Sequence, residues 1–489
     1  MAGISTALSN ALSGLLVSAG QTAVVSRNIT RANDENYSRE IASTSSSATG
    51  AARLDPTQRA ADSGLLASFL QSTSNLAAQQ TLLRGLTNIS STVGDVQTDG
   101  SVAWSISQFQ QNLQALTNDP ANSQLANQAI SGAKRLSETL NSASEITQAV
   151  RNDAESGIKN SVATINDLLQ QMQKVDSVIA GNSPDADARA AAMDRRDTIL
   201  KSLAAEIGIQ TTLRPDNSIA IYTDGGVTLY DRSPREVTFS ASNGLSAGNT
   251  GAPVFADGVQ ITGTGAPMPS KSGNLVAYVQ LRDQVAPVYQ NQLDEAARFL
   301  ISAFSEKDQS SAPILPDATG LFSYSGSPAA PGAGVYPGLA AQIRVNSAAT
   351  LSSGGNPNLL RDGGINGPSY KYNSANTAGF QARLQSLMQT IAQKQAFNTS
   401  SQLSSPDTVL GFASASAGWV EAQRSTADQK STDAQAMQTR TRDSLLRTTG
   451  VNLDLEMSTM LSLEKSYQAS AKVLTTVDQM MGDLMQVVR

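Results

Sequence analysis

The sequence contains no cysteine and no histidine in 489 residues. The first absence excludes disulfides, a thiolate nucleophile and any Cys-ligated metal. The second removes the commonest general base and the commonest transition-metal ligand. Aromatic residues make up only 4% of the chain, too few for stacking platforms that hold bases or sugars. No dense run of Lys and Arg occurs and the formal charge is −6, so no nucleic-acid partner is expected. No stretch approaches the roughly 20 apolar residues of a membrane span, and no membrane insertion is expected. The N-terminal MAGISTALSNALSGLLVSAG has no basic leader and no unbroken apolar core, so it does not read as a conventional signal peptide.

Candidate chemistry is correspondingly thin. No P-loop or dinucleotide-binding glycine motif is present. The Gly-rich pieces TGTGAPMP (262–269) and SSGGNPN (352–358) lack the Lys-Ser/Thr or strand–helix context of phosphate loops and read as turns. Asp194 and Asp197 flank Arg195 and Arg196 on a predicted helix, which suits a solvated or ion-paired face better than acid–base work. Trp104 and Trp419 read as packing residues. The expectation is a protein that is not an enzyme, with no catalytic residue, cofactor or metal.

What the chain does have is long amphipathic helices. Counting in sevens from Leu453 gives Met460, Tyr467, Leu474, Met481 and Val488, all apolar. A second row, Leu463, Val477 and Leu484, lies three or four residues away, so the seam is close to coiled-coil spacing. Such a helix runs roughly 50 Å at 1.5 Å per residue and needs a partner. Ile4, Leu8, Ala11, Leu15, Ser18, Thr22, Val25 and Ile29 make a matching stripe near the other end. Either the two helices pack on each other, leaving everything between as an outgrowth, or they are ordinary core helices of one domain.

Between them the pattern changes character several times. Residues 40–60 read as extended or irregular. Helices are expected over Asp62–Val93, from Val102 to Leu116, and from an Asp119 N-cap with Pro120 at the first helical position to about Ala180. A break at GNSPDAD precedes a helix from Asp185 to Glu206, stopped at Gly208. Short alternating runs over 209–270 mark a β-rich insertion. Helix returns over Gly273–Glu306, with Pro287 as a kink or break. Gly, Pro, Ser and Asn dominate 309–375, where QIRV is the clearest strand, and helices follow over Phe380–Phe397 and Thr408–Arg447. The fold class is mainly α with a β-rich insertion (α+β), elongated and multi-domain. Terminal coiled-coil-like helices occupy 1–40 and 450–489. A helical rod domain takes 41–208, 273–308 and 376–449. One outer β-rich domain is entered twice, at 209–272 and 309–375.

Particular residues also carry a resemblance. Asn28-Ile29, Asn33 and Tyr37-Ser38-Arg39 resemble the NIANANTPGYSR-type motif of bacterial flagellar axial proteins, the family of rod, hook and hook-associated proteins. Glu35-Asn36 stands where that motif has Pro-Gly, and Asn36 can adopt the left-handed conformation such a turn needs. Gly450–Asp454 (GVNLD), Tyr467–Val473 (YQASAKV) and Asp478 are similar to the family's C-terminal GVNLDEE…YQASAKV…VD, with Leu455 in place of the first Glu. Met193–Asp197 with Leu203, and Gly273–Leu275 through Leu281-Arg282, resemble inner segments of the hook–filament junction members, and Gly320-Leu321-Phe322 does so loosely.

The resemblance implies a structural protein of the extracellular flagellum, exported by the flagellar type III system without a cleaved signal. It implies self-assembly in a tube, with hook protein below, a second junction protein above, and an export chaperone on the C-terminal helix. Termini that order only on assembly are part of the same expectation. The assembly interface would comprise Ile4, Leu8, Leu15, Val25, Asn28, Ile29, Asn33, Tyr37 and Arg39 near one end. Near the other it would comprise Asn452, Leu453, Met460, Tyr467, Leu474, Val477, Met481 and Leu484. The alternatives are another axial protein (second junction protein or flagellin), a secreted protein whose β-rich domain binds or hydrolyses a ligand, and an unrelated helical scaffold.

Overall fold

Side-chain caps set several of the helix starts. In the computed structural model, which describes residues 2–47, 50–91, 93, 100–181, 186–242, 244–312 and 314–487, α1 spans Ala2–Thr30. The stretch read as extended or irregular is a small nested ribbon: β1 (Glu40–Ile41) pairs with β4 (Gln58–Arg59), and β2 (Thr44–Ser46) pairs inside it with β3 (Ala52–Leu54). Then come α2 (Ser63–Ser90), α3 (Val102–Asn118), α4 (Ser123–Ala180) and α5 (Ala186–Glu206). Asp62 accepts the Leu65 N–H, and Ser101 accepts that of Trp104, each satisfying an amide that the first helical turn leaves free. The expected breaks at 94–99 and 182–185 lie outside the described residues.

One cap differs from expectation. Asp119 and Pro120 do not open α4. Asp119 closes α3, its N–H donating to the Ala115 carbonyl at 3.2 Å, and Asn122 caps α4 by accepting from the N–H groups of Gln124 and Leu125. Asn at the N-cap serves as well as Asp, so two adjacent candidates competed and the second has the geometry.

At 58 residues α4 runs roughly 90 Å, and it is the spine of two hydrophobic cores. Its first half, through Ala129, Ala133, Leu136 and Leu140, packs with α2 and α3. Its second half, Ile158, Ile165, Leu169 and Met172, packs with α5 and the first β segment. Gly157 sits where the spine is crossed: a Cβ there would stand 2.7 Å from the Tyr278 ring.

The β segment follows as an antiparallel meander of β5 (Ile209–Leu213), β6 (Ile219–Thr223), β7 (Thr228–Asp231) and β8 (Ser233–Pro234). A three-stranded sheet adds β9 (Val237–Phe239), β10 (Val254–Ala256) and β11 (Val259–Gln260), in the order β11-β10-β9. Helix resumes as α6 (Asn274–Gln280), widens into one π turn over 281–285, and continues as α7 (Ala286–Ala303). Pro287 therefore does not break the run. Its missing N–H falls in the first turn of α7, after the π turn has shifted the hydrogen-bond register.

The second Gly/Pro-rich segment departs further from expectation. It holds one short pairing, β12 (Phe322–Ser323) with β13 (Arg344–Val345), plus α8 (Leu359–Asp362) and turns. Its apolar residues Leu321, Phe322, Leu339, Ile343 and Leu360 join the helical core rather than that of the first β segment. The Phe322 ring lies 5.7 Å from Phe109 and 5.3 Å from Phe304. Its strands are too short to bury both faces of a sheet, so its apolar clusters are buried on the helices instead. After α9 (Ala382–Ala392), α10 (Val409–Thr449) packs along α2, and α11 (Leu453–Val487) follows.

Helices α1 and α11 run antiparallel against each other. A Cβ on Gly14 would stand 3.2 Å from Ser470 Oγ, and the hydroxyls of Ser18 and Ser466 are 3.5 Å apart, so small residues let the backbones approach. By length and mean hydropathy Ser5–Thr30 is apolar enough to cross a membrane, which corrects the expectation that no stretch approaches this. Its many Ala, Leu and Val residues raise the mean, although Ser, Thr and Gln interrupt them.

Candidate assembly interface

The last turn of α1 carries Asn28, which is 1% exposed. Its amide makes four hydrogen bonds. Oδ1 accepts from the Tyr37 hydroxyl at 2.7 Å and the Glu40 N–H at 3.0 Å. Nδ2 donates to the Glu40 carbonyl at 2.9 Å and to Glu456 Oε2 at 3.1 Å. One side chain thus joins α1, the turn after it, strand β1 and α11. Arg27 donates through Nη2 to the Glu40 carboxylate at 2.8 Å and to Asp187 on α5 at 2.8 Å. Burial pushes the Tyr37 hydroxyl well above its ordinary pKa, and the Glu40 charge adds to this, so Tyr37 is a firm donor.

The turn itself is built without a left-handed Asn36. Asp34 Oδ1 accepts the Asn36 N–H at 2.9 Å, and the Asp34 carbonyl accepts from Tyr37 at 3.0 Å. Asn36 is absent from the positive-φ residues, so an Asp side chain replaces the conformational role expected of it. The Arg39 N–H donates to the Thr449 carbonyl at 2.7 Å, where α10 ends and α11 begins. Asn452 caps α11 by accepting the Leu455 N–H at 3.2 Å.

Below this knee, Arg59 of β4 is paired with Asp194 at 2.7 Å and with Asp197, and donates to Ser38 Oγ at 2.8 Å. The Arg59 side chain is 7% exposed. Burial works against its charge, yet the two carboxylates hold its pKa above the ordinary value. Asp194 and Asp197 are therefore an ion-paired face, which selects one of the two readings made from the sequence. A cleft of about 750 Å³ opens beside them, between the 35–38 turn, α5 and the end of α10.

The expected interface residues fall into three groups. Asn28, Tyr37 and Val25 are buried within the chain, and Leu8, Leu15, Ile29, Arg39, Met460 and Leu474 are partly covered. Val477 is buried against the α1 side, whereas Asn33, Asn452, Leu453, Tyr467 and Met481 are exposed. The side chains of Ile4 and Leu484 lie outside the described residues. The row counted in sevens from Leu453 is thus less covered than the row of Leu463 and Val477, because a single helix can cover only one edge of the stripe. Leu455, Met457, Leu461, Val473, Met480 and Met485 are also at least 49% exposed on α11, as are Leu12 and Leu16 on α1.

Sequence reading missed Arg27, Glu40, Arg59 and Glu456. The weak signal for Glu40 is that it is the sole acidic residue between Glu35 and Asp55. Arg59 and Glu456 carry no local signal, since their partners lie 135 and 428 residues away.

Two family models match this architecture. Residues 443–487, the end of α10 with α11, match the model described as flagellar basal body rod FlgEFG protein C-terminal. Residues 86–312, from the end of α2 through α7, match the flagellar hook-associated protein FlgK helical domain. The first match is a likeness to flagellar axial proteins, confined to these C-terminal residues. The second is more specific: over 86–312 the chain is similar to the flagellar hook-associated protein FlgK. A solved structure, the flagellar hook junction protein FlgK from Burkholderia pseudomallei, aligns at 19% identity and a TM-score of 0.43, covering 53% of this chain and 47% of that one. The chain therefore spans about half the length of that protein in the alignment. No curated protein matches the sequence.

Proposed function

We propose that this protein is the structural adaptor between hook and filament of a bacterial flagellum and is required for filament assembly. The supporting observation is the knee-borne helix pair whose outer side is left apolar: Met457, Leu461, Val473 and Met485 on α11 are 49–70% exposed although one face of the helix is already covered by α1. A helix pair in isolation gains nothing from such a surface, whereas burying it on a neighbour contributes about 25 cal/mol per Å². Copies of the chain provide that neighbour, with hook protein below and the second junction protein above. An export chaperone covers α11 until the chain leaves by the flagellar type III route, without a cleaved signal. In this reading 1–40 and 450–489 form the tube core, the helices between them form the rod, and 209–272 and 309–375 face outward. Its role is mechanical and not catalytic.

Deleting the coding region should leave hooks without filaments and flagellin in the medium, and normal filaments in that strain would refute the proposal. Electron microscopy of labelled flagella separates the junction from the second junction protein or flagellin by position.

A further inference from the structure

With no cysteine in the chain, the methionine thioethers are its only sulfur. Five of the 11 methionines fall on the 35 residues of α11: Met457, Met460, Met480, Met481 and Met485. What sets them apart is their grouping on one helix, since Met268 and Met437 elsewhere are also 38% and 54% exposed. Met172 is fully buried in the second core, while Met457, Met480, Met481 and Met485 are 51%, 51%, 43% and 70% exposed. They border the face covered by α1 and contribute little to the fold of the single chain.

Methionine suits an adaptable apolar contact because its side chain is flexible and polarisable. It is also the apolar side chain that mild oxidants convert into a polar one, with susceptibility following exposure. When a peroxide reacts, the thioether sulfur supplies a lone pair, the O–O bond breaks, an S–O bond forms and water leaves. Sulfur loses two electrons and the peroxide gains them. The product is a strong hydrogen-bond acceptor, which is penalised wherever a neighbour buries it without a donor.

We propose that Met457, Met480, Met481 and Met485 form an oxidisable patch: peroxide converts them to sulfoxides, which stops α11 from packing on a second copy of the chain while the subunit itself stays folded. This rests on the reading of α11 as an assembly surface. The geometry makes the effect selective. The four side chains lie outside both hydrophobic cores, so oxidation acts on the surface for a second copy well before it reaches the buried Met172.

The test uses the full purified chain, treated with hydrogen peroxide and then catalase. Peptide mass spectrometry should find the four sites oxidised about tenfold faster than Met172. Sedimentation over a concentration series should show self-association weakened about tenfold or more, the cost of burying one unpaired polar group. The thermal melt should be unchanged, and methionine sulfoxide reductases should restore association. Whatever its untreated association, the variant M457L/M480L/M481L/M485L should lose none of it on peroxide treatment. The variant M268L/M437L, which removes exposed methionines elsewhere, should remain sensitive. Undiminished association of the oxidised chain overturns the patch alone, as does a loss of association on oxidising the quadruple variant, or a lowered melt. Failure of the untreated chain to associate overturns both the patch and the assembly reading.

Discussion

Asn28 and Glu456 stand 428 residues apart in the chain and share a hydrogen bond of 3.1 Å. This contact ties the turn that leaves the first helix to the start of the last, so both terminal helices meet the rod at one point. Every group in it is buried: Glu456 is 5% exposed, Glu40 6% and Tyr37 4%.

Asn28→Ala should therefore be costly. It strands the Tyr37 hydroxyl, the Glu40 N–H and carbonyl, and the Glu456 carboxylate at once. A loss of about 2–4 kcal/mol is expected, because each buried group left unpaired costs about 1–3 kcal/mol and the knee relaxes to recover part of it. Urea unfolding measures the loss, and amide exchange should localise it to 28–40 and 449–460. A variant within 0.5 kcal/mol of the parent, a surface-like effect, would show the network to be solvated.

The Arg59 cluster makes a second prediction. Arg59→Met leaves Asp194 and Asp197 buried and close together, and should destabilise by about 3–5 kcal/mol. Adding Asp194→Asn and Asp197→Asn removes the stranded charges and should recover most of that loss. A triple variant no better than Arg59→Met would mean that the guanidinium acts by packing.

Asp294 sets a pH dependence. Its carboxylate accepts from Gln290 Nε2 at 2.9 Å and from the Gly338 and Ala340 N–H groups, both at 2.8 Å. Burial outweighs these bonds and raises its pKa from the ordinary 3.8 to about 6. The folded chain then holds a proton that the unfolded chain releases between about pH 4 and 6, so stability from this group falls as pH rises through that window. The change is on the order of 2–3 kcal/mol, and Asp294→Asn should abolish it. Parallel stability–pH curves for parent and variant over that window would contradict the assignment.

Leu474 tests the assembly surface. It is partly covered, so Leu474→Glu places a charge on α11 at a residue that belongs to neither core. The variant should retain the main unfolding transition and fail to incorporate into flagella. Immunodetection in sheared flagella, set against total secreted protein, reads this directly, and normal incorporation would exclude the seam from assembly.

Much of the helical architecture was legible because amphipathic periodicity and caps are local properties. The stripe from Leu8 to Ile29 and the 58-residue α4 are written in spacing alone. Less legible was how segments pair. Pro287 looked like a break, but the π turn before it accommodates the ring. Residues 309–375 looked like sheet, yet they bury Phe322 against Phe109 and Phe304. Asp119 and Asn122 were equivalent as caps until one had a helix to start.

The sequence by itself determined which chemistry is missing, where the long helices lie, and that both ends carry matching apolar stripes, because composition and periodicity depend on neighbours a few residues away. Only the tertiary structure decided which edge of the α11 stripe is covered by α1 and which stays open. It also decided that Asn28, Glu40 and Glu456 form one buried network. Such pairings depend on distances between residues hundreds of positions apart, which no local pattern encodes.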